Sequence, residues 1–363
     1  MSSLPTITCC TAEPLAASAC VRLFGQGGLY TAGLFLMRAG NFLLLPLYTA
    51  LLATDEYGAV GVVQQLVGVV VVLSVAAQGH AVLRLGVDAE KDPARLARLV
   101  STMAVYVGAG GVVFTGVALL LWPVYKPLMG DQALWPVGVA GLVGVAGQAT
   151  FQFSLAYQQL RGRAKVHTGL NIQRWLVLFA GVMLFVLGLR WGPAGLLLAM
   201  SLSYTVGAAL ALRKVEGLRP ALHRGDLSAG LAYGLPLIPH MLSGVVIQAT
   251  DRALLASGPG LEQVGLYTLA ANLASAVFMV AMGMQRAWVP FFLRQDRDQA
   301  EGGWESARRL SFFALAMVAS AAVVVGLFAP EIVALVGRKA YLESSTVLPV
   351  LVFTAFVRAY YLQ

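Results

Sequence analysis

An arginine and an asparagine lie within an apolar run of the sequence, LFLMRAGNFLLLPLY at residues 34–48. Arg38 and Asn41 are three positions apart, so a helix places them on one face. A guanidinium group stays charged and forms strong, directional hydrogen bonds to anionic oxygens. We therefore expect this face to line a polar cavity in which Arg38 contacts an anionic group. The alternative is an arginine that pairs with backbone carbonyls or extends its charged end toward the membrane surface.

A second candidate site is the adjacent pair Asp251 and Arg252, which ends a long apolar stretch. Neighbouring residues on a helix point about 100° apart, so the two side chains need not pair with each other. Arg252 is a candidate substrate contact, and Asp251 is a candidate carboxylate for coupling to a proton or a cation. A gate-stabilising ion pair and a plain charged turn at the membrane interface are the alternatives.

Three further polar residues are candidate substrate contacts. Gln64 lies inside an apolar stretch, where its amide could bond a hydroxyl-rich ligand or simply hold two helices together. Gln285 and Arg286 end a later stretch and precede Trp288. An arginine beside a tryptophan is also the ordinary pattern of a membrane-interface anchor.

These residues belong to a chain with the composition of a membrane protein. Of its 363 residues, 58% are hydrophobic and only 12% are charged, and the mean hydropathy is +0.76. Soluble domains carry about 25% charged residues. The three cysteines and four histidines form no metal-ligand pattern, so the sequence implies no metal or prosthetic group.

Apolar stretches long enough to cross a bilayer recur along the sequence. About 20 residues are needed per helix, and stretches free of Asp, Glu, Lys and Arg are 57–83, 99–125, 132–160, 191–212, 227–250, 263–285 and 310–330. The stretches 28–50, 170–189 and 345–363 each contain one arginine. The sequence therefore predicts an all-α protein of about ten transmembrane helices. Pro236 and Pro239 predict a bend in the seventh.

The basic residues predict the orientation of the chain. Alternate segments between the helices hold 17 of the 25 Lys and Arg residues, Arg174 among them, and the opposite segments hold five. Because cytoplasmic loops are rich in Lys and Arg, we expect a cytoplasmic N-terminus. The net charge of +8 is then a topology signal and indicates no nucleic-acid partner.

A weak internal repeat divides the chain. LLATDEYGAVGVVQQL (51–66) aligns with LLASGPGLEQVGLYTLAANL (254–273), so that Gly58 falls on Gly265 and Gln65 on Asn272. Parallel repeats are typical of transporters. We expect a disordered N-terminus (1–20), a lobe of six helices (21–212), a cytoplasmic linker (213–229) and a partial second lobe of four helices (230–363).

The segments NFLLLPLYTALLATDEYGAVGVVQQL, YGLPLIPHMLSGVVIQATDRALLAS and QRAWVPFF resemble the polysaccharide-export flippases. These are the O-antigen and capsule lipid-linked oligosaccharide flippases of the multidrug/oligosaccharidyl-lipid/polysaccharide exporter superfamily. The resemblance runs from about residue 21 to the end. Members usually have at least twelve helices in two lobes around a central cavity, so the resemblance implies that the second lobe is truncated here.

The resemblance implies a transporter, not an enzyme, of the bacterial inner membrane. Its substrate would be a polyprenyl-diphosphate-linked oligosaccharide used for O-antigen, capsule or exopolysaccharide synthesis, with Arg38 at the diphosphate. The expected partners are this lipid-linked oligosaccharide, membrane lipids, and a polysaccharide polymerase with its chain-length machinery.

Three other functions remain open from the sequence. A cation-coupled multidrug antiporter of the same superfamily would be expected to carry membrane carboxylates, yet helices 1–6 contain none. A polymerase or glycosyltransferase usually has a sizeable extramembrane catalytic segment, and the loops here are short. An inactive fragment is the third alternative.

Overall fold

In a computed structural model of the protein, the described residues are 42–125, 135–219, 221–278 and 303–361, and all of their regular structure is helical. Side chains are described throughout these ranges except at 303–311, 314, 359 and 361. Four predicted site residues, Arg38, Asn41, Gln285 and Arg286, lie outside the described residues.

Fifteen α-helices lie within the described residues. Those of the N-terminal half are α1 (Phe42–Leu51), α2 (Thr54–Val75), α3 (Gln78–Ala89), α4 (Pro93–Leu120), α5 (Trp122–Tyr125), α6 (Trp135–Leu142), α7 (Val145–Leu160), α8 (Ala164–Gly181, continued by a π-helical turn Val182–Gly188) and α9 (Gly192–Leu212). Those of the C-terminal half are α10 (Arg224–Gly234), α11 (Ile238–Ser257), α12 (261–278), α13 (Gly303–Leu327), α14 (Ala329–Val336) and α15 (Ser344–Tyr361).

Each of the ten predicted transmembrane helices has a counterpart, whole or partial, among these elements. Among the described residues, six helices are long and apolar enough to cross a membrane, counting helices joined across a short interruption as one. The pair Leu315–Leu327 and Ala329–Val336, bent by 70°, counts as a seventh if it is one span. The protein is therefore an all-α, multi-pass membrane protein, as predicted.

Two of the long helices are interrupted, and the interruptions face each other. Ala76 and Ala77, with φ of 43° and 55°, separate α2 from α3. A 3-10 turn, Leu235–Leu237, separates α10 from α11 beside Pro236 and Pro239. The bend predicted from these prolines stays a prediction. The buried amide of Gln78 donates to the carbonyls of Ala76 (3.1 Å) and Gly230 (3.3 Å), and so joins the two interruptions.

The segment between the halves lies against the start of α4. The backbone N–H groups of Arg219 and His223 donate to the hydroxyls of Ser101 (3.0 Å) and Thr102 (3.1 Å). Helix α10 begins at Arg224, so the last six residues of the predicted linker are helical. The division of the chain at 213–229 stays a prediction.

Candidate functional site

A cavity of about 620 Å³ lies between helices from both halves of the chain. Among the described residues, its polar lining consists of carboxamides, hydroxyls and one guanidinium group, contributed by Gln64, Gln65, Gln148, Gln248, Asn272, Ser201, Ser275, Tyr48, Tyr57, Tyr204 and Arg174. The apolar lining includes Phe42, Leu45, Leu178, Leu197, Val245 and Phe278. The described lining residues contain no carboxylate. The carboxamides, hydroxyls and guanidinium group that are present can bind a ligand that carries hydroxyls or negative charge.

Arg174 is the charged residue among the described residues that line this cavity. It lies on α8, where only 6% of the residue is exposed, and its guanidinium carbon is 4.7 Å from the centroid of the Tyr204 ring on α9. No ion pair involves Arg174 among the residues that the structure describes. A charge inside a membrane protein is costly, which usually indicates a use in binding or transport.

Counting Arg174 with the basic residues of the cytoplasmic segments was wrong. The sequence interpretation placed the start of the fifth span at residue 170 and counted this arginine with the cytoplasmic basic residues. The helix begins six residues earlier, at Ala164, and continues to Gly188, so Arg174 lies well inside the span. The signal was present in the sequence, because Arg161, Arg163 and Lys165 already supply the basic residues expected at the cytoplasmic end of this helix.

Gln64 lines the cavity, as expected for a candidate substrate contact. Its amide nitrogen is 3.0 Å from the sulfur of Met200, a weak acceptor, so most of its hydrogen-bonding capacity is available to a ligand. Substrate binding by Gln64 stays a prediction.

Asp251 and Arg252 turn to separate partners and do not border the cavity. Asp251 accepts a hydrogen bond from the hydroxyl of Tyr267 (2.8 Å). Arg252 is buried, and it donates to the carbonyl of Gln248 (3.1 Å) and to the hydroxyl of Thr268 (3.4 Å). The contacts with Tyr267 and Thr268 join α11 to α12, so a packing role accounts for Arg252. Ion coupling by Asp251 and substrate contact by Arg252 stay predictions.

At one end of the cavity, α2 packs directly against α12. A Cβ added to Gly58 would stand 2.9 Å from the carbonyl carbon of Leu261 and 3.0 Å from the nitrogen of Gly265. Reciprocally, a Cβ on Gly265 would stand 2.8 Å from the carbonyl carbon of Thr54 and 3.2 Å from the nitrogen of Gly58. The two glycines let the two backbones touch, and we call this contact the glycine seam.

The glycine seam lies on an axis of internal pseudo-symmetry. Gly58 and Gly265 are equivalent in the sequence repeat, and they meet each other across the seam. The cavity lining repeats the same relation, because Gln65 and Asn272 both line it, as do Gly68 and Ser275. Carrying the alignment back into α1 also pairs Leu45 with Gln248. Both repeats therefore contribute matching helix faces to one cavity.

Three hydrogen bonds between the halves accompany the seam. Asn272 donates to the hydroxyl of Tyr57 (2.9 Å), and Thr49 donates to the carbonyl of Val336 (2.7 Å). The hydroxyl of Tyr341 lies 3.2 Å from the carbonyl oxygen of Leu52 and 3.1 Å from that of Ala53. Of these three contacts, only the first is made between two cavity-lining side chains.

A family model described as "Polysaccharide biosynthesis protein" matches residues 25–295. The chain belongs to this family. The match spans α1 to α12 and includes every described residue that lines the cavity. No curated relative matches the sequence. The family agrees with the superfamily suggested by the sequence motifs.

Similarity to solved structures shows that this protein has a MATE-like transporter fold. An inward-facing multidrug resistance MATE family transporter of the MOP superfamily superimposes with a TM-score of 0.71 at 14% identity, over 90% of this chain and 80% of that one. A mutant of the Vibrio cholerae MATE transporter VcmN gives 0.66 at 15% identity, over 96% and 82%. At these identities the likeness concerns the fold alone.

Proposed function

We propose that the protein moves a polyprenyl-diphosphate-linked oligosaccharide across the bacterial inner membrane for the synthesis of a surface polysaccharide. Membership of a polysaccharide biosynthesis family and a MATE-like transporter fold support this proposal. In it, the N-terminus is cytoplasmic and the exported lipid-linked glycan serves a polysaccharide polymerase and its chain-length machinery.

The presence of Arg174 in a cavity whose described lining has no carboxylate is the observation that carries the proposal. An arginine in such a site attracts an anion, and its planar donors fit two phosphate oxygens at once. The Tyr204 ring beneath the guanidinium leaves the edge of the group, where its N–H donors lie, able to face a ligand. The diphosphate therefore binds at Arg174 in this mechanism.

The carboxamides of the cavity suit the glycan. Gln65 and Gln148 come from the N-terminal half, and Gln248 and Asn272 come from the C-terminal half. Each amide offers donors and an acceptor, which matches sugar hydroxyls. A glycan held by both halves would couple the movement of one half to the other, as alternating access requires.

Cation-coupled drug efflux is the second candidate function, because the similar solved structures are multidrug transporters. A cationic drug would need a carboxylate or an aromatic face in the cavity. Tyr48 and Tyr57 supply aromatic faces, but Arg174 repels a cation. The anionic substrate is therefore the better match.

Binding of undecaprenyl diphosphate to the purified protein tests the proposal. The affinity is measured by native mass spectrometry for the parent, Arg174→Ala, Arg174→Lys and the control Arg84→Ala, which removes an exposed arginine. Hydrogen bonds to charged groups contribute about 1.5–3 kcal/mol, so Arg174→Ala should weaken binding by roughly 10- to 150-fold. Arg174→Lys should fall between, because lysine keeps the charge and loses the bidentate geometry.

Equal affinity of the parent and Arg174→Ala would contradict the anionic site. A cationic dye that binds the parent and binds Arg174→Ala more tightly would favour the drug antiporter. Arg84→Ala should match the parent in both experiments, since its side chain is 59% exposed and pairs with Asp88 on the surface.

A further inference from the structure

We infer that the hydrogen bond between Asn272 and Tyr57 is a latch that the substrate itself releases, so that occupation of the cavity loosens the glycine seam. The inference rests on the proposed function, because the releasing ligand must carry hydroxyl or phosphate oxygens. It identifies two residues that connect binding to the separation of the halves.

The geometry of the bond places it between the cavity and the seam. Asn272 on α12 donates to the Tyr57 hydroxyl on α2 at 2.9 Å, and both residues line the cavity. Tyr57 directly precedes Gly58 of the seam in the sequence. A change in this bond is therefore transmitted directly to the backbone contact of the seam.

The Tyr57 ring is fixed, whereas the Asn272 side chain is accessible. Tyr57 is only 3% exposed, and its ring packs between those of Tyr48 (centroids 6.4 Å apart) and Tyr341 (6.2 Å apart). Asn272 is half-buried. The Tyr57 hydroxyl is therefore held in place at the cavity, whereas the Asn272 amide can rotate and exchange its hydrogen bond to Tyr57 for one to a ligand.

The other hydrogen bonds at this end do not respond to a ligand in the same way. Thr49 and Tyr341 bond to backbone carbonyls, and neither residue lines the cavity. The seam itself consists of close backbone contacts at the two glycines. Among the described residues, the Asn272–Tyr57 bond is thus the contact between the halves, at this end of the cavity, that a ligand inside can replace.

The latch occurs on one side of the pseudo-symmetry axis. The repeat pairs Asn272 with Gln65 and Tyr57 with Val264, which is buried and apolar. Val264 cannot accept a hydrogen bond from Gln65, so the symmetry-related bond does not form. One ligand contact at Asn272 and Tyr57 therefore suffices to break the side-chain link at this position.

The chemistry of the two groups selects the ligand. While Tyr57 accepts from Asn272, its own O–H remains free to donate, and Asn272 keeps a second N–H and a carbonyl oxygen. A phosphate or sugar oxygen that inserts between the two groups accepts from the Tyr57 O–H and from the N–H that Asn272 otherwise donates to Tyr57. The bond between the two residues is then replaced at little net cost, because one hydrogen bond is exchanged for another. A ligand without acceptor oxygens leaves the bond intact.

Distance measurements across the seam test the latch. Asp55→Cys and Glu262→Cys place spin labels at exposed, repeat-equivalent positions on either side of it, after Cys9, Cys10 and Cys20 are replaced by serine. Pulsed electron–electron double resonance in nanodiscs then gives the distribution of distances between the two labels. It is measured for this labelled protein, for its Tyr57→Phe and Asn272→Ala variants, and for the variant with both changes. Tyr233→Phe is the matched control, because Tyr233 lies on α10 and outside the cavity lining.

Without ligand, Tyr57→Phe and Asn272→Ala should each raise the ratio of long to short distances by about two- to tenfold, as expected for loss of one neutral hydrogen bond. The combined variant should show no larger effect than either change alone, because all three lack the same bond. Undecaprenyl diphosphate should lengthen the distances in the labelled parent and in Tyr233→Phe, and should have a much smaller effect in the latch variants.

Unchanged distances in both latch variants would overturn the inference, as would additive effects in the combined variant. Failure of the proposed function can be distinguished from failure of the latch. If the proposed function is wrong, undecaprenyl diphosphate does not bind to the parent in native mass spectrometry. If that lipid binds and the latch variants respond to it as the parent does, the latch is refuted while the proposed substrate stands.

Discussion

Gly58→Ala gives the most direct test of the glycine seam. The added Cβ would stand 2.9 Å from the carbonyl carbon of Leu261 and 3.0 Å from the nitrogen of Gly265. Carbon atoms in contact prefer about 3.5–4.0 Å. The neighbours are backbone atoms that cannot rotate aside, so α2 and α12 must move apart by about half an ångström or more.

The steric clash of the added methyl group destabilises the closed state of the seam and leaves the open state unaffected. Overpacking a well-packed contact costs about 1–3 kcal/mol. Alanine also raises the helix propensity by about 1 kcal/mol, but this gain is present whether the seam is closed or open and cancels from the equilibrium between them. The ratio of closed to open molecules should therefore fall by roughly 5- to 150-fold.

The same spin-label pair, at Asp55→Cys and Glu262→Cys, measures the effect. Gly244→Ala on α11 is the matched control, because nothing lies within 4 Å of its added Cβ. We expect Gly58→Ala to lengthen the distances and Gly244→Ala to leave them unchanged. A distribution for Gly58→Ala identical to that of the parent, with a raised melting temperature, would refute the interpretation of the seam as a tight contact.

Two further predictions concern other contacts of the described residues. Gly234→Ala should lower the melting temperature, because the new methyl group meets the Ala76 carbonyl and lies 3.1 Å from the Gln78 amide nitrogen. The control is Gly169→Ala, whose added Cβ has open space around it. Equal melting temperatures of the two variants would contradict the packing of the two helix interruptions. The hydrogen bond and positive charge of Arg163 lower the pKa of Glu216 below its ordinary value of 4.5, so the stability that Glu216 provides should be present above pH 4.5 and lost as the pH falls through the lowered pKa. The melting temperatures of the parent and Glu216→Gln should therefore converge at the acidic end of this range. A difference in melting temperature that is the same at every pH would contradict the expected pH dependence.

The fold could be predicted from the sequence because bilayer thickness imposes a minimum length on apolar stretches. Every predicted span has a helical counterpart among the described residues. The boundary of the fifth span was misplaced for a physical reason. A positive charge at a loop and one inside a span look alike in a count of basic residues, and the packing of Arg174 on Tyr204 from another helix shows which of the two this is.

The candidate site was less predictable, because it depends on contacts between distant segments. The repeat aligned Gly58 with Gly265, but nothing in the sequence indicated that the two glycines are in contact. Adjacent Asp251 and Arg252 were open to several roles, and their partners Tyr267 and Thr268 come from the next helix. Gln64 was found from the rarity of amides in spans, which is a local signal.

Transport of a lipid-linked glycan by the reconstituted protein tests the central claim most directly. Proteoliposomes are prepared with a polyprenyl-diphosphate-linked oligosaccharide, and transfer between leaflets is followed by its accessibility to a membrane-impermeant lectin. The account predicts transfer by the parent and by Arg84→Ala, and little or none by Arg174→Ala. Transfer by Arg174→Ala at the rate of the parent would contradict it, as would absence of glycan transfer in proteoliposomes that transport a cationic dye.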